Sequence, residues 1–425
     1  MCDSMVAVSS ATSAGVVLFG KNSDREYDEA QFLELIPAAR HETGARVRLT
    51  YQEINQARET HTALLSKPHW IWGAEIGANA YGLVIGNEAL FSKIEASAAD
   101  GIIGMDYVRL ALERAKDVEE GISTITTLLR EHGQGGNCGY RQKMAYHNSF
   151  ILADPSGGKV LETVDREWVV TGVKDYYAIS NAMTIGSEFE ASSLTLTARA
   201  IQAGIYENGA PFALDAVFAD QTKVASGNHR RGRAMKLLRA RSGSLKPVDF
   251  FGILRDHKEG QPLSGRLTGP RICAHTRESP LGETAASWVA TIARGKAVHW
   301  VTGTGAPCTG VFKPVLIECG LPEHGPAPRG EPDAVSLWWR HEELRRGLDE
   351  GDQDARAAFN SERDDLEEYF LHRMANCPPV TDDTSRTEAR RIVEACWREA
   401  LAFEARWHEL VCTHTCITGV NAPGR

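Results

Sequence analysis

Met1-Cys2-Asp3-Ser4-Met5-Val6-Ala7-Val8 opens the chain, and its second residue decides which chemistry and which fold the sequence favours. Removal of Met1 would leave Cys2 as the N-terminal residue, with a nucleophilic thiol and a basic α-amine on the same residue. Their ordinary pKa values, about 8.5 for the thiol and about 7.7–8.0 for the amine, allow the amine to take the thiol proton. A lone cysteine is a weak signal, so this interpretation depends on the downstream sequence.

The bulk composition is that of an ordinary globular protein. The chain has 425 residues, 42% of them hydrophobic and 24% charged, which fits one large domain with an extension or two domains. A net charge of -9 argues against nucleic acid or a membrane surface as the main partner. The nine cysteines are scattered and follow no secretory signal. They indicate reduced thiols and predict a cytoplasmic location.

The segment after Cys2 predicts a hairpin. Met5 to Phe19 is typical of two short strands around a turn that contains Gly15. The second strand leads into Gly20-Lys21-Asn22-Ser23-Asp24-Arg25, which hairpin geometry could set beside Cys2. Lys21 and Asp24 are therefore candidate site residues. The alternative is a solvated turn with an ion pair.

Two asparagines follow predicted strands. Asn79-Ala80-Tyr81-Gly82 separates two apolar runs as a hairpin turn does, and Asn87 closes the second run. Asn181 follows a predicted strand, Tyr176 to Ser180. An amide held at a strand end can donate to a developing oxyanion. Asparagine is also common in turns, which is the alternative interpretation for Asn87.

Helical spacing is clearest from Met105 to Lys116 and from Val118 to His132. Asp117 before the second helix is a candidate N-cap, and Gly133 after it is a candidate stop. A third helix is predicted from Ala234 to Ala240, directly after Asn228-His229-Arg230-Arg231-Gly232-Arg233. A guanidinium from this basic segment could lie near the nucleophile or bind a substrate carboxylate. Arg230 is the candidate, with Arg231 and Arg233 as alternatives, and a basic surface cap is the other interpretation.

Further strands are predicted in five places, and then the composition changes. The predicted strands are Arg46–Tyr51, Ser149–Ala153, Lys159–Val164, Trp168–Val173 and a pair within 285–302. Residues 321–332 are rich in Pro, Gly and charge, which predicts a linker between a domain over 1–320 and a helical extension over 333–425. In that extension, Cys412-Thr413-His414-Thr415-Cys416 offers too few ligands at the usual spacing. The sequence therefore predicts no metal and no cofactor.

The motifs taken together resemble the secernin/dipeptidase group of N-terminal-nucleophile hydrolases across most of the chain. The order and spacing of many short segments carry this resemblance. They are Cys2-Asp3, Gly20–Arg25, Trp72-Gly73-Ala74-Glu75, Gly77-Ala78-Asn79, Gly86-Asn87-Glu88-Ala89, Gly104-Met105-Asp106, Glu131–Gly136, Leu161-Glu162-Thr163, Ala178–Asn181, Thr284–Ser287, Thr302-Gly303-Thr304 and Val311–Pro314.

The resemblance implies an α+β fold, the αββα four-layer sandwich of N-terminal-nucleophile hydrolases, with a C-terminal helical extension. Bile-salt hydrolases and penicillin V acylases are similar at a greater distance. Their site pattern falls, residue by residue, on Cys2, Lys21, Asp24, Asn87, Asn181 and Arg230. Lys21 departs from the arginine of those distant relatives, as it does in the secernin-like group.

The hypothesis that follows is an amidohydrolase that cleaves a small amide or dipeptide bond through a thioester on Cys2. In it, Asp24 holds the amine, and Lys21 or Arg230 balances the charge. Asn87 and backbone N–H groups receive the oxyanion, and Asn181 either orients the amine or completes the oxyanion hole. An acyltransferase on the same scaffold and a non-enzymatic regulatory protein are the alternatives. The expected partner is a small-molecule substrate, without nucleic acid or membrane, and a homo-oligomer is left open.

Overall fold

The computed structural model describes residues 2–257, 271–275 and 282–417, with side chains as far as residue 411. Its strands are β1 (Cys2–Ala7), β2 (Val17–Arg25), β3 (Gln31–Ile36), β4 (Ala39–Arg40), β5 (Arg46–Arg48), β6 (Glu53–Asn55), β7 (Glu59–Thr60), β8 (Ala63–Pro68), β9 (Ile76–Asn79), β10 (Val84–Leu90), β11 (His147–Asp154), β12 (Gly157–Val164), β13 (Glu167–Gly172), β14 (Tyr176–Ile179), β15 (Ala191–Ser192), β16 (Glu283–Ala293), β17 (Lys296–Val301) and β18 (Lys313–Val315). The helices are α1 (Gly104–Arg114), α2 (Val118–His132), α3 (Leu196–Gln202), α4 (Leu214–Phe218), α5 (Ala225–Ala240), α6 (Pro247–Leu254), α7 (Leu337–Glu350), α8 (Gln353–Ala375) and α9 (Asp383–Ile417).

Two antiparallel sheets form the centre of the described fold. One sheet has the order β14-β1-β2-β16-β17-β18, and the other has the order β15-β13-β12-β11-β10-β9-β8-β3. The sheets pack face to face, with β1 against β10 and β11. Helices α1 and α2 cover the outer face of the larger sheet, and α5 and α6 cover the smaller one. This layer order is the αββα sandwich, so the predicted fold is confirmed.

Burial on both faces explains why the central strands show no apolar/polar alternation. All nine residues of β2 and all six of β1 are buried, because each strand lies between the other sheet and a helical layer. Side chains of α1 and α2 form an apolar layer with Ile85 and Leu152 of the larger sheet. Phe250 and Phe251 of α6 pack on the smaller sheet.

The N-terminal hairpin is present as predicted. Strands β1 and β2 pair antiparallel, with Cys2 opposite Ser23 and Ala7 opposite Leu18. Gly15 takes a φ of 65° in the connection, a conformation that favours glycine. The polar end of β2 therefore lies beside Cys2.

The predicted helix pair is also present. The Asp117 side chain caps α2 by accepting a hydrogen bond from the Glu120 N–H at 2.9 Å, and Gly133, with a φ of 73°, ends the helix. Helix α1 ends at Arg114 rather than Lys116, because Ala115 is extended.

Two local predictions need correction, and one pair of strands was missed. Helix α5 begins at Ala225, so Arg230 lies inside the helix rather than before it. The predicted strand from Arg46 to Tyr51 shortens to β5, a three-residue strand paired with β6. Strands β3 and β8, which pair at the edge of the larger sheet, were not predicted.

Helices α7, α8 and α9 pack on one another, and α8 and α9 also pack on β18. The Trp397 Nε1–H of α9 donates to the Pro314 carbonyl at 2.8 Å, and Lys313 Nζ lies 3.2 Å from Glu404 Oε1. The division at 321–332 stays a prediction, and the side chains of 412–416 lie outside the described residues. Within the part of the chain that the structure describes, no helix is long and apolar enough to cross a membrane.

A glycine on β9 tests the packing of the helical layer. A Cβ on Gly77 would meet Leu112 Cδ1 at 2.5 Å and the Leu64 carbonyl oxygen at 2.9 Å. Gly77→Ala should therefore lower the free energy of unfolding by about 1–3 kcal/mol. Chemical denaturation measures the change.

Gly252→Ala is the matched control, because a Cβ on Gly252 of α6 would meet no atom within 4 Å. We expect it to leave stability unchanged or to raise it by up to about 1 kcal/mol. Equal denaturation midpoints for the two variants would contradict the described packing of α1 on β9.

Candidate active site

Cys2 begins β1, which lies between β14 and β2. Its Sγ accepts a hydrogen bond from the Asp24 N–H at 3.3 Å, and its backbone nitrogen donates to Asn181 Oδ1 at 2.9 Å. The residue is 6% exposed and lines a cavity with about 50 Å³ of space accessible to water. Both atoms that an N-terminal nucleophile uses are thus fixed, the sulfur by β2 and the nitrogen by Asn181, which follows β14.

Arg230 is the guanidinium that the structure places against Cys2. Its Nη1 donates to the Cys2 carbonyl at 3.0 Å and to Asp3 Oδ2 at 2.6 Å, and its Nη2 donates to Asn181 Oδ1 at 2.6 Å. Arg231 instead donates to the Ala178 carbonyl, and Arg233 pairs with Asp256. The geometry therefore singles out Arg230 among the three arginines.

Asp24 lies at the end of β2 and lines the same cavity. Its Oδ1 accepts a hydrogen bond from Thr284 Oγ1 at 2.6 Å, and its Oδ2 lies 3.7 Å from Arg230 Nη1. Burial raises the pKa of Asp24, against the opposing effect of Arg230. Burial likewise raises the pKa of Asp3 to about 6.

Lys21 forms a buried ion pair between the two sheets. Its Nζ lies 3.2 Å from Glu88 Oε1 and donates to the Asn87 carbonyl at 2.6 Å. Ser4 Oγ donates to the same Glu88 oxygen at 2.5 Å. Burial raises the pKa of Glu88 to about 7, with Lys21 opposing the rise. Lys21 is thus a buried cation that links β2 to β10, and Ser4 links β1 to the same Glu88 carboxylate.

Both Lys21 and Glu88 affect the pKa of the Cys2 thiol. Burial raises its pKa to about 12, Lys21 opposes the rise, and Glu88 adds to it. This state has Met1 attached, so the Cys2 nitrogen is an amide here rather than an amine.

The structure does not bring the Asn87 amide to Cys2. Its Nδ2 donates to Asn148 Oδ1 at 3.3 Å and lies 3.6 Å from Met105 Sδ on α1. Successive side chains of a strand face opposite sides, and Glu88 faces the smaller sheet, so Asn87 faces the helical layer. Asn181 is the predicted amide that contacts Cys2, and its Nδ2 donates to the Ala89 carbonyl at 3.0 Å.

Charged residues without a predicted role also line the cavity. Glu75 Oε2 lies 4.0 Å from Cys2 Sγ, and Glu75 Oε1 lies 3.1 Å from Arg25 Nη1. Arg25 Nη2 donates to Glu29 Oε1 at 2.6 Å. Glu75 and Arg25 belong to the segments Trp72–Glu75 and Gly20–Arg25, which are among those that carry the resemblance. Nothing in the sequence showed whether their side chains line the site or only pack in the core.

No family model matches the chain. Among solved structures, the chain is similar to a mutant of the conjugated bile acid hydrolase from Clostridium perfringens, with 16% identity over 71% of this chain and 88% of that chain and a TM-score of 0.44. It is also similar to the penicillin V acylase from Agrobacterium tumefaciens, with 13% identity over 74% of this chain and 86% of that chain and a TM-score of 0.43. The Caenorhabditis elegans ortholog of N-acylethanolamine-hydrolyzing acid amidase matches with 12% identity over 68% of this chain and 92% of that chain and a TM-score of 0.35. These scores are low, and the fold assignment rests on the sheet pairing itself.

Glu88→Gln tests the electrostatic coupling between Glu88 and Cys2. Above pH 7 the wild-type carboxyl is ionised and raises the thiol pKa, whereas the amide does not. The variant thiol should therefore react faster with iodoacetamide at pH 8–9, by up to about tenfold for each unit of pKa change. Below pH 6 both side chains are neutral, so the two rates should converge.

Mass-spectrometric mapping of the Cys2 peptide measures these rates. Glu162→Gln is the control, because Glu162 is also buried with a pKa raised by burial to about 7 and is not among the charges that act most on the pKa of Cys2. Parallel rate–pH profiles for Glu88→Gln and wild type would refute the coupling.

Proposed function

We propose that the protein is an N-terminal-cysteine amidohydrolase that cleaves a small amide or dipeptide bond through a thioester on Cys2. The observation that carries the proposal is the placement of two atoms of one residue. The Cys2 nitrogen is held by Asn181 Oδ1 and the Cys2 Sγ by the Asp24 N–H, and both residues line the cavity. Cleavage after Met1 would turn the held nitrogen into a basic amine.

The reaction begins when the freed amine takes the thiol proton, directly or through a water molecule. Sγ then attacks the substrate carbonyl, and a C–S bond forms as the carbonyl oxygen becomes an oxyanion. Collapse of this intermediate breaks the C–N bond, and the Cys2 ammonium returns its proton to the leaving amine. Water attacks the thioester with the amine as base, which releases a carboxylic acid and restores the thiol.

The surrounding charges support these steps. Lys21 lowers the cost of forming the thiolate, since its cation opposes the effect of burial on the thiol pKa. Arg230 and Asn181 act as positioning residues, because they hold the carbonyl and the nitrogen of Cys2. Asp24 contributes its backbone N–H to the sulfur and its carboxylate to the local charge balance.

The size and charge of the cavity support a small polar substrate. About 50 Å³ of water-accessible space admits a few water molecules or one end of a small ligand. The Glu75 carboxylate near Sγ could accept a substrate ammonium, and a dipeptide carries such a group beside its scissile amide. These features favour a small amide or dipeptide over a long peptide chain.

The free amine is tested by comparing protein that begins at Cys2 with protein that retains Met1. We expect the form that retains Met1 to lose at least about 100-fold in kcat/KM, because its Cys2 nitrogen is an amide nitrogen and cannot act as the general base. Cys2→Ala should abolish turnover, whereas Cys319→Ser should not. Amine release from a panel of dipeptides and small amides measures the rates.

Intact mass after rapid quenching should show an acyl adduct on Cys2. Full turnover by protein that retains Met1, or by Cys2→Ala, would refute the mechanism.

Asn181 and Asn87 should differ in their effects. Asn181→Ala removes the acceptor of the Cys2 nitrogen, so kcat should fall by about 100-fold, as for the loss of other positioning groups. Asn87→Ala should change kcat by less than about tenfold and act mainly on stability, because its amide contacts Asn148 and Met105. Steady-state kinetics and thermal unfolding separate the two effects. A large fall in kcat for Asn87→Ala, with KM and stability unchanged, would restore its predicted oxyanion role.

A further inference from the structure

Two cysteines and two histidines converge away from the Cys2 cavity. His257 follows α6, Cys273 and His275 lie in the described segment 271–275, and Cys308 lies between β17 and β18. One ligand atom from each lies within 4.8 Å of all the others. Cys273 Sγ and Cys308 Sγ are each 3.2 Å from His275 Nε2. Among the described residues, this is the group whose side chains could hold a metal ion.

We propose that His257, Cys273, His275 and Cys308 bind one zinc ion in a structural site. Two thiolates and two imidazoles are a tetrahedral zinc ligand set, with Zn–S near ~2.3 Å and Zn–N near ~2.0–2.1 Å. A tetrahedron of those bonds separates sulfur from nitrogen by about 3.6 Å, close to the spacing in the cluster. Four protein ligands leave no open coordination position for a substrate or water, so the proposed zinc would have a structural and not a catalytic role.

The surroundings of the cluster suit a metal-bound thiolate. Arg356 Nη2 of α8 lies 3.2 Å from Cys308 Sγ and is buried with it, so a cation faces a sulfur that zinc would keep deprotonated. Arg363 Nη1, also of α8, donates to the Cys308 carbonyl. The thiols of Cys273 and Cys308 are both free, which leaves them available as ligands.

The proposed zinc would stabilise the hydrogen bond that orients Asp24. Ala274, between two of the ligands, pairs with Thr284: its N–H donates to Thr284 Oγ1 at 3.0 Å, and its carbonyl accepts from the Thr284 N–H at 3.0 Å. Because Thr284 Oγ1 accepts from Ala274, its hydroxyl hydrogen is directed to Asp24 Oδ1. Fixing residues 273–275 therefore fixes Thr284.

Metal analysis of the full chain, purified without a polyhistidine tag and with reductant, tests the proposal. We expect about one zinc per chain. Cys273→Ser and Cys308→Ser should lose most of it, whereas the matched control Cys377→Ser should retain it. Chelation should lower the melting temperature of the wild type, and added Zn²⁺ should restore it.

Cobalt replacement keeps the proposal testable if the serine variants fail to fold. Co²⁺ added to the chelated wild type should give the intense visible bands of a tetrahedral site and thiolate-to-metal charge transfer. Folded wild type without zinc, full zinc in both ligand variants, or a cobalt spectrum without thiolate bands would each overturn the proposal. A Cys273–Cys308 disulfide in the reduced preparation would do the same.

Discussion

The arrangement of the site depends on one buried guanidinium. Arg230 is 1% exposed and binds the Cys2 carbonyl, Asp3 and Asn181 together, so the first residues of the chain are held inside a sheet. Chain termini usually fray, and a buried charge that loses its partners costs several kcal/mol. The partners of Arg230 therefore constrain one another. Asn181 Oδ1 accepts hydrogen bonds from Arg230 and from the Cys2 nitrogen, so the guanidinium belongs to the framework that holds Cys2 in place.

Local sequence signals predicted the helix ends and turns at which particular residue types are strongly preferred. The Asp117 cap, the Gly133 stop and the Asn79–Gly82 turn were predicted because each satisfies backbone groups in a specific way. Strands β3 and β8 gave a weaker signal, since β8 ends in Lys67-Pro68 and proline weakens a strand assignment. The face-to-face packing of the sheets depends on contacts distant in sequence. It entered the prediction only through the resemblance.

The site was predicted less completely, for a geometric reason. The sequence predicted Asn87 at a strand end, as an oxyanion donor would be, but β10 continues to Leu90 and is buried on both faces, so its sequence does not show which side chains face Cys2. Arg230 could be chosen over Arg231 only once the rotation of α5 was known. The proposed zinc ligands are spread over three segments, and their spacing of 16, 2 and 33 residues matches no common zinc motif.

Burial of the Cys2 nitrogen has a consequence for the timing of biosynthesis. A processing enzyme can cut the bond after Met1 only while that nitrogen is accessible. Asn181 lies 179 residues further along the chain, and Arg230 lies 228 residues further. At ribosomal rates of about 5–20 residues per second, Asn181 emerges on the order of 10–40 s after Cys2. Under the proposed function, removal of Met1 would therefore compete with folding on the ribosome, and slower elongation before Asn181 would favour the processed chain.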